Sequence, residues 1–81
     1  MHLEIITPDE KVFEGEVSVV TCPGADGSFQ LLNNHAPLVS LLAGGVVEYK
    51  TSQQREHVAI TGGVVEVLQN KVIVLADGVR K

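Results

Sequence analysis

The first place in this sequence where chemistry could reside is a glycine-rich stretch, Gly24-Ala25-Asp26-Gly27-Ser28. Backbone N–H groups in such loops can cradle phosphates. A phosphate loop, however, ends in Gly-Lys-Ser/Thr and opens a helix, whereas this one lacks the lysine and runs into the strand-like Phe29-Gln30-Leu31-Leu32. A contact loop held by a rigid scaffold is the expected role instead. Three histidines, His2, His35 and His57, could ligate a metal in a small β-barrel enzyme. Their spacing fits no ligand motif, and only His35, within Asn34-His35-Ala36-Pro37, has a distinctive local sequence. Nucleophilic catalysis finds no support: there is no Gly-x-Ser-x-Gly elbow, and the single Cys22 lacks a neighbour that would activate it. Cys22 reads as a small buried hydrophobe, and a lone cysteine suits a reducing compartment.

The elements that must position these residues are strands. Leu3 to Thr7 is a short strand stopped by Thr7-Pro8-Asp9-Glu10, where proline and aspartate favour a turn. The run 11–22 is long enough to bend between two sheets; its alternation places Val17, Val19 and Thr21 on one face, with Gly15 as a bulge. Pro23 to Gly27 is the densest cluster of breakers and reads as an exposed loop. Strands are expected again over 28–32 and 38–42, separated by the irregular segment 33–37. Two hairpins complete the chain: 46–50 with 56–60 across the polar Thr51-Ser52-Gln53-Gln54, and 64–68 with 71–75 across Gln69-Asn70. Residues 77–81 lose the pattern and are expected to fray. No window carries apolar residues at helical spacing, so the expected architecture is all-β. It is a single domain over 1–81, a small two-sheet β-sandwich or flattened barrel of about eight to ten short strands.

Composition agrees. The 81 residues are 44% hydrophobic and 20% charged, ordinary for a packed globule, with no Trp and with Val, Ile and Leu dominating. A domain this size buries only about 60% of its unfolded surface. The net charge of −4, with basic residues scattered singly, gives nucleic acid no footing. No apolar run reaches membrane-spanning length, and Met1-His2-Leu3-Glu4 does not open like a secretion signal. The glutamates Glu4, Glu14, Glu16, Glu48 and Glu66 fall at alternating strand positions and read as a solvated sheet face. From the residues alone, the reading stops at an acidic β-sandwich that works by binding.

An ordered series of local sequences goes further. Leu3-Glu4-Ile5-Ile6-Thr7-Pro8-Asp9, Val12-Phe13-Glu14-Gly15-Glu16-Val17, Pro23-Gly24-Ala25-Asp26-Gly27-Ser28-Phe29, Asn34-His35-Ala36-Pro37-Leu38-Val39-Ser40, Gly62-Gly63-Val64-Val65-Glu66-Val67 and Lys71-Val72-Ile73-Val74-Leu75-Ala76-Asp77 follow one another across almost the whole chain. Together they resemble the N-terminal β-sandwich domain of the F-type ATP synthase epsilon subunit.

The resemblance implies a non-catalytic rotor subunit at the foot of the central stalk, without a cofactor. It would bind subunit gamma and the membrane-embedded c ring, in a complex with alpha, beta, delta, a and b subunits. Proton transport and ATP synthesis would belong to that complex. Membrane association would come only through it, at the cytoplasmic face of a bacterial inner membrane rather than a thylakoid. The family's ring-facing loop falls on Gly24, Ala25, Asp26, Gly27 and Ser28, and bulky substitution at Gly24 or Gly27 is expected to weaken assembly while sparing the fold. The gamma-facing edge falls on His35, with Thr7 and Ser40 sharing it. Two departures stand out. Family members place an acidic or polar side chain after the second loop glycine, where this chain has Ser28, so Asp26 is the nearer charged candidate. Members also continue into a C-terminal pair of helices that inhibit ATP hydrolysis and in some cases bind ATP. The expectation for a chain ending at Lys81 is the sandwich without that hairpin; in a longer parent both properties could exist. Outside this family, the rival expectations are a metal-dependent β-barrel enzyme using His2, His35 and His57, or a generic adaptor domain.

Overall fold

The computed structural model describes residues 1–80. Nine strands follow one another: β1 (His2–Ile6), β2 (Lys11–Glu16), β3 (Val19–Gly24), β4 (Gly27–Leu32), β5 (Leu38–Leu42), β6 (Gly45–Lys50), β7 (Arg55–Ile60), β8 (Gly63–Leu68) and β9 (Lys71–Ala76). The chain is all-β, as expected. Hydrogen bonding links the strands in the order β2-β1-β9-β8-β5-β3-β6-β7, with β4 on the far side of β3. This sheet folds into two layers. Strands β2, β1, β9, β8 and β5 form one; β4, β3, β6 and β7 form the other. The seam is a single pair, Gly24 opposite Leu42, reinforced by Ala25 N–H donating to the Leu41 carbonyl at 3.0 Å and Ala43 N–H to the Pro23 carbonyl at 2.8 Å. All pairings are antiparallel except β1 with β9.

The core lies between the layers because each strand turns one set of alternate side chains inward. Leu3, Ile5, Val65, Val72 and Val74 from the first layer meet Val20, Cys22, Leu31, Val47 and Ile60 from the second, all fully buried. Burying each larger aliphatic contributes roughly 1.5–3 kcal/mol. The rings of Phe13 and Tyr49, from opposite layers, pack at 4.4 Å between centroids and 36° between planes.

Several sequence expectations are corrected. The run 11–22 does pass from one layer to the other, but by breaking at Val17-Ser18 rather than bending. The break resets the alternation, so Val17 is buried together with Val20 and Cys22, not with Val19 and Thr21. The irregularity in β2 lies at Val12, because Ile5 pairs with Phe13 and Ile6 with Lys11. Gly15 pairs regularly with Leu3 and instead leaves room for the Phe13 ring, which would stand 3.2 Å from a side chain there. The end of the chain does not fray through Arg80. Val79 bridges Ile60, and Arg80 N–H donates to the Ala59 carbonyl at 2.9 Å.

Candidate interaction site

The expected loop over 23–27 is far smaller in the structure. Pro23 and Gly24 belong to β3, Gly27 and Ser28 to β4, and only Ala25-Asp26 turns between them. Residues 24–28 therefore come together as the tip of one β-hairpin, with Gly24 opposite Gly27 and Pro23 opposite Ser28. Ala25, Asp26, Gly27 and Ser28 are exposed. The tip is braced from the side by the Ala25 to Leu41 hydrogen bond, so it is fixed to the first layer as well as to its own strands.

The two glycines have different roles. A side chain at Gly24 would meet the Gly27 carbonyl oxygen at 2.5 Å and the Phe29 ring at 2.8 Å. Gly24 is thus required by close backbone packing, which corrects the expectation that its substitution spares the fold. Gly27 has open space around it, but its φ of +131° strains any other residue. The exposed tip residues Ala25 and Asp26 are the positions that can be changed without touching the interior.

Thr7, Ser40 and His35 do not converge. Thr7 follows β1 and closes its turn through hydrogen bonds with Glu10, its N–H donating to the Glu10 carbonyl at 2.9 Å and its Oγ1 accepting from Glu10 N–H at 3.1 Å. Ser40 pairs with buried Val65 and so shares the inward side of β5. His35 lies near the opposite end of the first layer, its Nδ1 2.7 Å from the Ala36 carbonyl oxygen. Between Thr7 and His35 stretches the outer face of β5, β8, β9 and β1.

That face was missed in the sequence. Across it, Leu41, Val64, Leu75 and Ile6 stand in one lateral row, and Val39, Glu66, Ile73 and Glu4 in the next. Val39 is 70% and Leu41 66% exposed. The signal was available: 64–68 and 71–75 are nearly continuous apolar runs, the pattern of strands covered on both sides, rather than half-solvated ones. Of the two carboxylates, Glu4 is paired with Lys11 at 3.0 Å. Lys11 also meets Glu14 at 2.6 Å; these contacts raise the ammonium pKa, Glu14 first and Glu4 second, and lower that of Glu14. Glu66 has no ion-pair partner among the described residues.

The histidines are likewise dispersed. His2 lies on β1 with Nε2 3.0 Å from Glu14 and Nδ1 3.3 Å from Glu16, His35 lies in the 33–37 loop, and His57 lies on β7 in the other layer, opposite Glu48. Among the described residues no three His, Cys, Asp or Glu are grouped as a metal ion requires. Burial pushes the Cys22 thiol up to about 12, which keeps it protonated and inert as a nucleophile.

Comparison with known proteins gives a family and a fold. Residues 1–81 match the domain family described as ATP synthase, Delta/Epsilon chain, beta-sandwich domain. An ATP synthase epsilon chain from Helicobacter pylori (strain HPAG1) is 41% identical over 78 residues, covering 96% of this chain and 63% of the relative. One from Nitratidesulfovibrio vulgaris (strain DP4) is 43% identical over 81 residues, covering 100% of this chain and 60% of the relative. The chain thus spans somewhat under two thirds of the length of these relatives. A chain in the Euglena gracilis mitochondrial ATP synthase, OSCP/F1/c-ring in rotational state 1, shares the fold with a TM-score of 0.88 at 23% identity, over 96% of this chain and 51% of that one. A chain in the Tetrahymena thermophila mitochondrial ATP synthase central stalk/cring gives 0.81 at 18% identity, over 99% and 65%.

Proposed function

The chain belongs to the ATP synthase delta/epsilon β-sandwich family, and from that premise we propose that it is a non-catalytic rotor element coupling a c ring to the central stalk of an F-type ATP synthase. The match over the whole chain is the observation that carries the reading. In this reading Gly24-Ala25-Asp26-Gly27-Ser28 touches the ring, and the layer that bears Thr7, Ser40 and His35 touches subunit gamma. The membrane is reached through the complex, at its cytoplasmic side. No helix among the described residues is long and apolar enough to cross a bilayer.

The geometry supports the ring contact physically. A part that turns with its partner must transmit load without sliding, so its contact should be stiff. A two-residue tip fixed on three sides, by β3, β4 and the Leu41 carbonyl, is stiffer than the free loop its composition suggested. Its single side-chain charge, Asp26, stands at the apex.

The test is reconstitution of the chain with purified gamma and detergent-solubilised c ring, comparing wild type with Ala25→Trp and Asp26→Lys. Both variants should keep the wild-type urea midpoint, while ring association weakens by about tenfold or more, the scale of losing a central contact. Undiminished ring binding by both variants would remove the hairpin from the interface. Absence of wild-type binding to either partner would remove the reading itself.

A further inference from the structure

Met1 is built into the sandwich rather than hanging from it. The residue is buried in the core, 6% exposed. Its α-nitrogen lies 3.0 Å from the Val17 carbonyl oxygen, 2.6 Å from Asn33 Oδ1 and 3.7 Å from Glu16 Oε1. Its own carbonyl accepts from Val17 N–H at 2.9 Å. The α-ammonium therefore joins three pieces of chain: the start of β1, the Val17-Ser18 break where the chain leaves the first layer, and the 33–37 loop that leaves β4 of the second. Asn70 ties the adjoining ground, its carbonyl accepting from His2 N–H at 3.1 Å and its Oδ1 from Asn34 N–H at 2.7 Å.

We propose that the α-amino group of Met1 is a modification site whose state decides whether the 33–37 loop is held to the sandwich: the free ammonium latches the loop, and acylation by a small group such as acetyl releases it. The reason is a count of donors. An ammonium carries three N–H bonds and a positive charge, matching two neutral oxygens and one carboxylate. In transfer from an acyl thioester, the nitrogen bonds to the acyl carbon as the C–S bond breaks. Of the two protons the ammonium gives up, one goes to the departing thiolate and one to water. The amide that results has a single N–H and no charge, so it serves Val17 or Asn33 but not both. The loss falls on Asn33, which is held by one bond, whereas Met1 and Val17 exchange two. The lysine best supplied with partners has no such arrangement, because Lys11 meets only the carboxylates of Glu4 and Glu14 on the surface. Enclosure adds an order of events: a closed latch shields the amine, so acylation and closure compete for it. In the rotor reading the loop presents His35 to subunit gamma, and an acylated chain would present it less firmly; that consequence rests on the function proposed above, the latch does not.

The test compares the 81-residue chain bearing a free Met1 amine with the same chain bearing an N-acetyl group, read by amide hydrogen exchange. Acetylation should speed exchange at His35, whose N–H donates to the Leu32 carbonyl at 3.2 Å, by about tenfold while Val65 and Val74 stay unchanged. With the amine free, Asn33→Ala should produce the same acceleration, and acetylating that variant should add little, because both changes remove one contact. The N-hydroxysuccinimide ester of acetic acid should label the Met1 amine of the native chain about tenfold more slowly than in concentrated urea, and Asn33→Ala should narrow that gap. Unchanged exchange at His35 on acetylation, additive effects of acetylation and Asn33→Ala, or native labelling as fast as in urea would each overturn the proposal. Should acetylation unfold the whole chain, the substitution decides: faster exchange at His35 in Asn33→Ala supports the latch, and unchanged exchange overturns it. Because gamma and ring are absent from these measurements, their failure leaves the rotor reading untouched, and failed reconstitution leaves this one untouched.

Discussion

At one end of the sandwich the chain turns on glycine, and at the other on asparagine and glutamine. Gly24, Gly27, Gly44, Gly45, Gly62, Gly63 and Gly78 gather at the end that holds the Ala25-Asp26 tip, linked through the pairs of Gly24 with Leu42, Leu42 with Gly63 and Gly45 with Ile60. Asn33, Asn34, Gln53, Gln54, Gln69 and Asn70 gather at the other, where Asn34 N–H donates to Asn70 Oδ1 at 2.7 Å. The backbone explains the division. Asn34, Gln69 and Asn70 have φ of 64°, 51° and 61°, in the left-handed well that Asn tolerates. Gly27, Gly62 and Gly63 have φ of 131°, 140° and 152°, beyond that well and open in practice only to glycine. The glycine end also packs main chain against main chain, whereas the amide end fills its space with side-chain hydrogen bonds. The first end should therefore be intolerant of change and stiff, and the second adaptable.

The largest effect should come at Gly63. A side chain there would stand 2.2 Å from the Leu75 carbonyl oxygen and 3.0 Å from the Ala76 Cα, in a backbone already at +152°. Neither neighbour can step aside without moving β9 in the centre of the first layer. Gly63→Ala should cost about 3 kcal/mol or more, seen as a large fall in the urea midpoint. A midpoint near wild type would mean that the glycine end is looser than its packing indicates.

Next comes Gly24→Ala, at about 2 kcal/mol. The Phe29 ring can swing from its 2.8 Å contact, but the Gly27 oxygen at 2.5 Å belongs to the hairpin ladder and cannot. The same substitution should loosen the tip, so amide exchange at Ala25 should accelerate relative to β8. If stability falls while Ala25 exchange is unchanged, the tip is held by β5 alone and Gly24 serves only packing.

These glycines mark where the sequence was readable and where it was not. The strands 64–68 and 71–75 and the Gln69-Asn70 turn were legible because β-branched composition, length and turn chemistry agreed. The 23–27 stretch was read as a loop because glycine and proline there signalled irregularity. The structure uses Gly24 for close approach within a strand, and Pro23 sits where β3 leaves β6 for β5. Pairing of Val79 with Ile60 was invisible because bridging depends on which edge lies nearby, not on local pattern. Of the candidate site, residues 24–28 were legible as a unit through family resemblance. The aliphatic outer face was not, since glutamates at alternating strand positions mark an outward side without showing what stands beside them, and the register that surrounds Glu66 with Val39 and Ile73 is a property of pairing.

The smallest effect belongs to the amide end and is the sharpest test of the contrast. In Asn70→Gly the two-residue turn gains the residue its left-handed second position favours, but loses the Asn70 Oδ1 that accepts from Asn34 N–H. An exposed hydrogen bond of this kind contributes roughly 1 kcal/mol, and the better turn residue offsets part of it, so the stability read from urea unfolding should change by no more than about 0.5 kcal/mol. The loss should instead appear locally, as several-fold faster amide exchange at Asn34 with β8 and β9 unaffected, because the 33–37 loop is tied to the turn by that bond while the strands are held by their own ladder. A destabilisation equal to that of Gly24→Ala would show that both ends are built to the same tolerance. The division between a stiff glycine end and an adaptable amide end would then have no energetic content.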